Sequence, residues 1–79
     1  MGKVILFSTS TYPWCKRAER YLKEKRVLFK EINVEKDAKA VRDLVLRTGQ
    51  TAVPVLKIGR RLIVGFDRAR IERELGRAS

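Results

Sequence analysis

The chain has very little sulfur and no histidine: its 79 residues include one cysteine, Cys15, and one methionine. A lone cysteine excludes an intramolecular disulfide, and the absence of histidine excludes zinc sites of the Cys/His type. No apolar run approaches the roughly 20 residues of a membrane-spanning helix, and no signal-peptide pattern opens the sequence. We therefore expect one domain over residues 1–79, located in the reducing cytoplasm, with no metal and no membrane partner.

Negative charge is also scarce, since 9 acidic residues face 19 lysines and arginines and leave a formal net charge of +10. Such an excess attracts acidic partners, including nucleic acids, but it also occurs on the solvated surfaces of heat-adapted proteins. The basic residues are spread over every segment, and no aromatic side chains are interleaved among them for base stacking. A solvated surface is therefore favoured, and nucleic acid is not expected as a partner.

The first third of the sequence has the pattern of a strand followed by a helix. Residues 4–7 form the continuous apolar run typical of a central strand, and residues 8–11 form a polar loop. Pro13 suits the first helical turn, where its missing N–H costs nothing, and the helix is expected to end near Lys25. Its inward-facing stripe, spaced at helical intervals, is predicted to be Trp14, Ala18, Tyr21 and Leu22.

A second strand and a second helix are predicted next. Residues 27–34 are rich in side chains that favour strands. Asp37 is a suitable N-cap for the following helix, and Gly49 is a suitable end for it. The inward-facing residues of this helix are predicted to be Val41, Leu44, Val45 and Thr48.

The remaining segments predict a hairpin and a last helix. Residues 53–58 and 62–64 have the composition of strands, and Gly59-Arg60 between them is a plausible two-residue turn with glycine first. The element after this hairpin is a helix, so the sequence predicts the order β-α-β-α-β-β-α. This is an α/β fold, in which a four-stranded mixed sheet carries helices on both faces. The first βαβ unit pairs in parallel, and the hairpin extends the sheet antiparallel.

The last helix has signals at both ends. Asp67 is a good N-cap, and Phe66 and Ile71 stand at the two positions of a hydrophobic staple. Gly76 is expected to end the helix.

Three segments carry a family resemblance: Thr11-Tyr-Pro-Trp-Cys15 after the first strand, Thr51-Ala-Val-Pro-Val55, and Val64-Gly-Phe-Asp67 before the last helix. Together they resemble the glutaredoxins, whose active-site loop is C-P-[YWF]-C, and the resemblance covers nearly the whole chain. It implies the thioredoxin fold, with three helices flanking the sheet, and a thiol–disulfide electron carrier. Cys15 takes the place of the second cysteine, and Tyr12 stands where the attacking cysteine belongs.

The resemblance also implies a substrate groove beside this loop. In relatives the proline of the second segment is cis, and the residue before it pairs with the backbone of glutathione or of a partner protein. The third segment helps to hold the γ-glutamyl end of glutathione. With the weaker candidates Lys16 and Gln50 included, the implied groove residues are Lys16, Gln50, Val53, Pro54, Gly65, Phe66 and Asp67. On the residues alone, Pro54 is also compatible with the start of an edge strand.

The resemblance implies that glutathione is the co-substrate and that disulfide-containing proteins are the substrates. We expect a monomer with no bound cofactor. The electron donor is either glutathione or an enzyme of the thioredoxin-reductase type. Exchange begins when a thiolate attacks a disulfide, and the Tyr12 phenol cannot make that attack, so we expect impaired activity.

Two questions stay open at this point. Cys15 is either a thiol activated by the helix N-terminus or an inert, half-buried residue beneath Trp14. The alternative function is a non-catalytic thioredoxin-fold module that binds an acidic peptide or nucleic acid.

Overall fold

The computed structural model describes residues 3–50 and 52–78, with side chains up to residue 76. Seven elements follow one another along the chain: β1 (Val4–Ser8), α1 (Pro13–Glu24), β2 (Lys30–Asn33), α2 (Ala38–Thr48), β3 (Val55–Ile58), β4 (Arg61–Val64) and α3 (Arg68–Ala78). Their order confirms the predicted β-α-β-α-β-β-α arrangement. Within the described residues, no helix is long and apolar enough to cross a membrane.

The strands form one mixed sheet in the order β2-β1-β3-β4. β1 and β2 run parallel, whereas β3 is antiparallel to both β1 and β4. The predicted parallel βαβ unit and the antiparallel hairpin are therefore confirmed. The hairpin turns through Gly59-Arg60, where Gly59 has a φ of 59°, a left-handed conformation that costs glycine little.

Apolar side chains pack on both faces of the sheet, which confirms that helices cover both sides. On one face, α1 and α3 contribute the buried side chains Leu22 and Ile71, which belong to the same cluster as Leu6 and Ile63 of the sheet. On the other face, α2 covers the strands through a cluster of Phe7, Ala40, Leu44 and Val55. Neighbouring residues of β1 therefore enter different clusters, as the two-residue period of a strand requires.

Each of the four strands has a boundary that differs from the prediction. β4 begins at Arg61 rather than at residue 62. β2 covers residues 30–33 rather than 27–34, because its pairing with β1 begins with Lys30 opposite Ile5. β3 begins at Val55 rather than at residue 53. Ser8, predicted in the loop, instead ends β1, where its buried hydroxyl donates to Glu31 Oε2 at 2.7 Å.

Two of the predicted helix faces were wrong in part. In α1, Trp14 is 44% exposed, and Cys15 takes the core-facing position in its place. In α2, Val45 is 38% exposed, whereas Ala40 is buried together with Leu44. In both helices each buried residue is three or four positions from another buried one, which is the spacing of a single helix face.

Both predicted N-caps are confirmed. The Asp37 side chain accepts a hydrogen bond from the Ala40 N–H at 3.0 Å, and that of Asp67 accepts one from the Arg70 N–H at 3.2 Å. Gly49, with a φ of 74°, ends α2 as predicted. The local sequence therefore sets these three helix boundaries.

The ends of α3 and α1 do not follow the glycine pattern. The predicted end at Gly76 is wrong, because this glycine stays helical and α3 runs to Ala78. After the C-cap of α1, Arg26 adopts a left-handed conformation with a φ of 58°. The Val27 N–H then donates to the Leu22 carbonyl at 3.0 Å. The left-handed residue of this Schellman pattern is usually glycine. A side chain with a Cβ costs about 1 kcal/mol in that conformation.

We predict that Arg26→Gly raises the free energy of unfolding by about 0.5–1 kcal/mol, because glycine adopts a positive φ without a steric penalty. Arg26→Ala is the matched control, since it removes the same charge but keeps the Cβ. Urea unfolding of the three proteins measures the effect. Equal stabilities of the glycine and alanine variants would show that the left-handed backbone carries no cost here.

A hydrogen-bonded cluster joins α1 to α3. The Tyr21 hydroxyl donates to Glu72 Oε1 at 2.7 Å, and Lys25 Nζ lies 3.3 Å from the same oxygen. The Phe66 ring packs edge-on against Tyr21, with 5.7 Å between the ring centroids. Burial raises the pKa of Tyr21, and the neighbouring Glu72 carboxylate raises it further. The folded state therefore favours the neutral phenol.

We predict that Tyr21 makes the protein less stable at alkaline pH. A group whose pKa is raised by folding stabilises the protein below its unfolded value, here 10.0, and this contribution is lost as the pH rises through the folded value. The free energy of unfolding should therefore fall above about pH 10, and Tyr21→Phe should reduce that fall. Glu72→Gln keeps the phenol buried, so this variant should retain most of the loss of stability above about pH 10. Urea unfolding across this pH range is the measurement, and identical profiles for wild type and Tyr21→Phe would contradict the prediction.

Candidate functional site

The loop between β1 and α1 leads into a helix N-terminus that begins with proline. Tyr12 is the N-cap residue and has an extended backbone (φ −87°, ψ 120°), which is the conformation favoured before a proline. Pro13 occupies the first helical position, and the Cys15 N–H donates to the Tyr12 carbonyl at 3.0 Å. Tyr12 and Cys15 therefore lie at the two ends of a single helical turn.

This loop exposes its aromatic rings and buries its thiol. Tyr12 and Trp14 are 43% and 44% exposed, whereas Cys15 is 1% exposed. Cys15 is thus buried more deeply than the half-buried position considered from the sequence. The accessible position of the turn is the N-cap, and in this chain it carries a phenol.

An open groove of about 240 Å³ lies beside the loop. Three segments that are far apart in the sequence supply its lining: Tyr12, Trp14, Val53, Pro54, Gly65 and Phe66. The Val53–Pro54 peptide bond is cis, which confirms the prediction. The Pro54 carbonyl accepts a hydrogen bond from the Gly65 N–H at 2.8 Å and so joins the second segment to the third. Thr51, which opens the second segment, lies outside the described residues.

Gly65 turns the chain between β4 and α3. Its φ is 85°, in the left-handed region, and a Cβ built at this position meets no atom within 4 Å. A larger residue would therefore be strained by its backbone conformation rather than by crowding. The turn places Phe66 in the groove lining and leaves open space beside the glycine.

A second recess, of about 380 Å³, adjoins the groove at Phe66. The Phe66 ring packs against those of both Trp14 and Tyr21, at centroid distances of 6.3 and 5.7 Å. The Arg17 guanidinium lies 4.6 Å from the Trp14 ring centroid, and the Arg68 guanidinium lies 5.3 Å from that of Tyr21. This cluster was not predicted from the sequence, although the i, i+3 spacing of Trp14 and Arg17 was an available signal.

Nine site residues were named from the sequence, and the structure describes all of them. Five line the groove, and the other four do not. Cys15 is buried beneath the surface. Asp67 caps α3, and Gln50 follows α2, with its carbonyl accepting from the Thr48 hydroxyl at 2.9 Å. Lys16 lines a separate polar recess between α1 and β2.

Known proteins share both the sequence pattern and the fold. The glutaredoxin family model matches residues 4–63. Over 68 residues the chain is 40% identical to a glutaredoxin-like 8.6 kDa protein of the rubredoxin operon of Clostridium pasteurianum, covering 86% of this chain and 91% of that protein. Over 67 residues it is 33% identical to glutaredoxin 3 of Escherichia coli K12, covering 85% of this chain and 81% of that one.

A solved structure gives the same result for the fold. The crystal structure of a glutaredoxin from Archaeoglobus fulgidus matches 95% of this chain and 87% of its own, with a TM-score of 0.86 and 26% sequence identity. The four-stranded mixed sheet with its flanking helices is accordingly a thioredoxin fold. Because the family model spans most of the chain and the relatives agree with it, this chain belongs to the glutaredoxin family.

Proposed function

We propose that this protein is a glutaredoxin-type thiol–disulfide redoxin. It binds glutathione, or an extended segment of a disulfide-containing protein, in the groove beside residues 11–15, which we name the redox loop. The observation that carries the proposal is the meeting of the loop, the cis Val53–Pro54 pair and the Gly65 turn around one groove. The relatives that match most of the chain are glutaredoxins or glutaredoxin-like proteins, which supports the same activity.

Val53 is suited to hold the backbone of a substrate. It precedes Pro54 and lies outside β3, and no backbone hydrogen bond is recorded between Val53 and another described residue. An extended substrate segment pairs with it as an added strand pairs with the edge of a sheet. Such main-chain pairing is independent of side-chain identity, which suits both glutathione and protein substrates.

The groove also suits an anion. α3 begins at Arg68, directly after the groove residue Phe66 and the cap Asp67, and the N–H groups of a helix N-terminus attract carboxylates. The Arg17 guanidinium, which lies over the groove residue Trp14, adds positive charge beside the groove. Glutathione carries carboxylates at both ends, so this charge distribution supports it as the co-substrate.

A single thiol limits the redox chemistry. In a two-cysteine redoxin, one thiolate attacks the substrate disulfide, releases one substrate thiol and forms a mixed disulfide. The second thiolate attacks this bond, releases the other substrate thiol and leaves an intramolecular disulfide, so two electrons pass from protein to substrate. Cys15 alone forms only the mixed disulfide, which an external thiol such as glutathione must resolve. Its burial slows even the first attack, and turnover is therefore weak.

We predict that the unmodified chain reduces disulfides at close to the background rate, and that Tyr12→Cys raises this rate at least about tenfold, or about 1.4 kcal/mol in activation free energy. The new thiol lies at the exposed end of the helical turn that contains Cys15, which supplies both thiols of the exchange. The rate is measured with the cysteine–glutathione mixed disulfide as substrate, coupled to glutathione reductase.

Two further variants control this experiment. Tyr12→Ser removes the ring without supplying a thiol and should stay at the rate of the unmodified chain. Tyr12→Cys combined with Cys15→Ser supplies the attacking thiol alone and separates attack from intramolecular resolution. Rapid turnover by the unmodified chain would contradict the prediction and identify Cys15 as a nucleophile that works alone.

We predict that Cys15 is alkylated slowly in the folded protein. Since only 1% of its surface is exposed, the thiol reacts after a local opening, and an opening cost of about 3 kcal/mol slows the reaction about 100-fold. Iodoacetamide labelling followed by mass spectrometry gives the rate. The double variant Tyr12→Cys, Cys15→Ser places one thiol at the exposed N-cap and is the matched control. Equal rates in the two proteins would show that Cys15 is accessible.

A further inference from the structure

The recess beside the groove is lined mainly by cationic side chains. Its lining is Arg17, Arg20, Tyr21, Glu24, Phe66 and Arg68, around a volume of about 380 Å³. We name this surface the arginine recess. Its three guanidinium groups face one carboxylate, so the recess is positively charged at neutral pH.

Aromatic rings hold two of these guanidinium groups in place. Arg17 lies 4.6 Å from the centroid of the Trp14 ring, and Arg68 lies 5.3 Å from that of Tyr21, both within the range of cation–π attraction. A guanidinium held on a ring is already oriented, so less conformational entropy is lost when its donors bind a ligand. The recess therefore presents preorganised donors.

Arg17 and Arg20 are available to a ligand. The ion pairs recorded among the described residues join Lys23 to Glu19, Lys25 to Glu72, Arg47 to Asp43 and Arg61 to Glu74, and none includes either arginine. Both side chains are exposed. Arg68 also acts electrostatically on Glu72, so part of its charge is balanced within the protein.

The arginine recess is continuous with the proposed substrate groove. Phe66 lines both, and Trp14 of the groove carries Arg17 on its ring. A polypeptide whose cysteine lies in the groove therefore passes its neighbouring residues over the recess. Carboxylates match this surface best, because guanidinium groups bind them through paired, charge-assisted hydrogen bonds.

A nucleic acid strand fits the same surface less well. Single strands are bound by successive exposed rings on which their bases stack. Tyr21 is only 6% exposed, and Arg17 covers one face of Trp14, so few ring faces in this cluster remain for stacking. The charge and the geometry thus favour an acidic peptide segment.

We propose that the arginine recess binds acidic residues next to the cysteine of a polypeptide substrate, so that the protein selects disulfide partners with acidic flanks. The inference rests on the proposed function, because it takes the groove as the site of the substrate cysteine. Each guanidinium–carboxylate pair on an exposed surface of this kind contributes up to about fivefold in affinity.

Two peptides test this selectivity. One carries S-methylcysteine followed by a run of glutamates, and the other has glutamines in their place. S-methylglutathione probes the groove with the proposed co-substrate and lacks the flanking run of glutamates. Trp14 is the single tryptophan of the chain and lines the groove, so its fluorescence reports all three titrations. The acidic peptide should bind about tenfold more tightly than the neutral one, and added salt should reduce the difference.

Variants assign the selectivity to particular residues. Arg17→Gln and Arg68→Gln should each lower the acidic-to-neutral affinity ratio by about threefold to fivefold. Arg17→Lys should retain part of the ratio, because the charge remains while the paired donors are lost. Arg42→Gln is the matched control: it removes an exposed arginine from α2, on the opposite face of the sheet, and should leave the ratio unchanged. Calorimetry repeats the measurement on the Arg17 variants without relying on Trp14.

The outcomes separate the two proposals. Equal affinities for the peptides, or an equal loss of selectivity in Arg42→Gln, would overturn the recess proposal and leave only attraction by the net charge. Binding of S-methylglutathione without a preference for the acidic peptide would keep the groove and reject the recess. A preference for the acidic peptide without S-methylglutathione binding would support the recess and reject the glutathione groove. Tighter binding of a single-stranded oligonucleotide, lost in Arg17→Gln, would identify nucleic acid as the occupant and overturn the proposal.

Discussion

The register of β3 against its two neighbours positions every part of the candidate site. Phe7 lies opposite Val55, and Val55 lies opposite Val64. Because both pairings are antiparallel, the C-terminal end of β1, the N-terminal end of β3 and the C-terminal end of β4 lie side by side at the same end of the strands. The redox loop follows β1, Pro54 directly precedes β3, and Gly65 directly follows β4. A slip of one residue would turn the core side chains to the wrong face, so the hydrophobic core also fixes the geometry of the groove.

Tertiary packing concentrates positive charge that looks dispersed in the sequence. The 19 lysines and arginines form no basic run. Arg17 belongs to α1 and Arg68 to α3, and both helices pack on the same face of the sheet. This packing brings the two guanidinium groups into the lining of one recess, where ring contacts hold them. A basic surface next to the groove thus depends on how two helices share one face of the sheet, and the spacing of charges along the chain does not reveal it.

The sequence predicts the local features of this protein better than its surfaces. The N-caps at Asp37 and Asp67 and the hairpin at Gly59-Arg60 follow from local backbone rules, and the structure confirms them. The cis bond before Pro54 could be predicted only from the family resemblance, because the residues alone are also compatible with the start of an edge strand. The helix pattern failed at Trp14, since periodicity does not distinguish a ring that enters the core from one that lines a groove.

The two ends of the helical turn in the redox loop are under different structural constraints. Cys15 lies at helical spacing from Ala18 and Leu22, and all three are buried, so the helix face that packs on the sheet fixes the place of the thiol. Tyr12 precedes the helix and is exposed. The core therefore requires a small side chain at position 15 and accepts many at position 12. In the proposed mechanism the attacking thiol belongs at the exposed position, so a substitution there alters turnover without disturbing the core. In that mechanism substrate binding depends on strand register and thiol chemistry depends on the residue at the N-cap, so the two are separable.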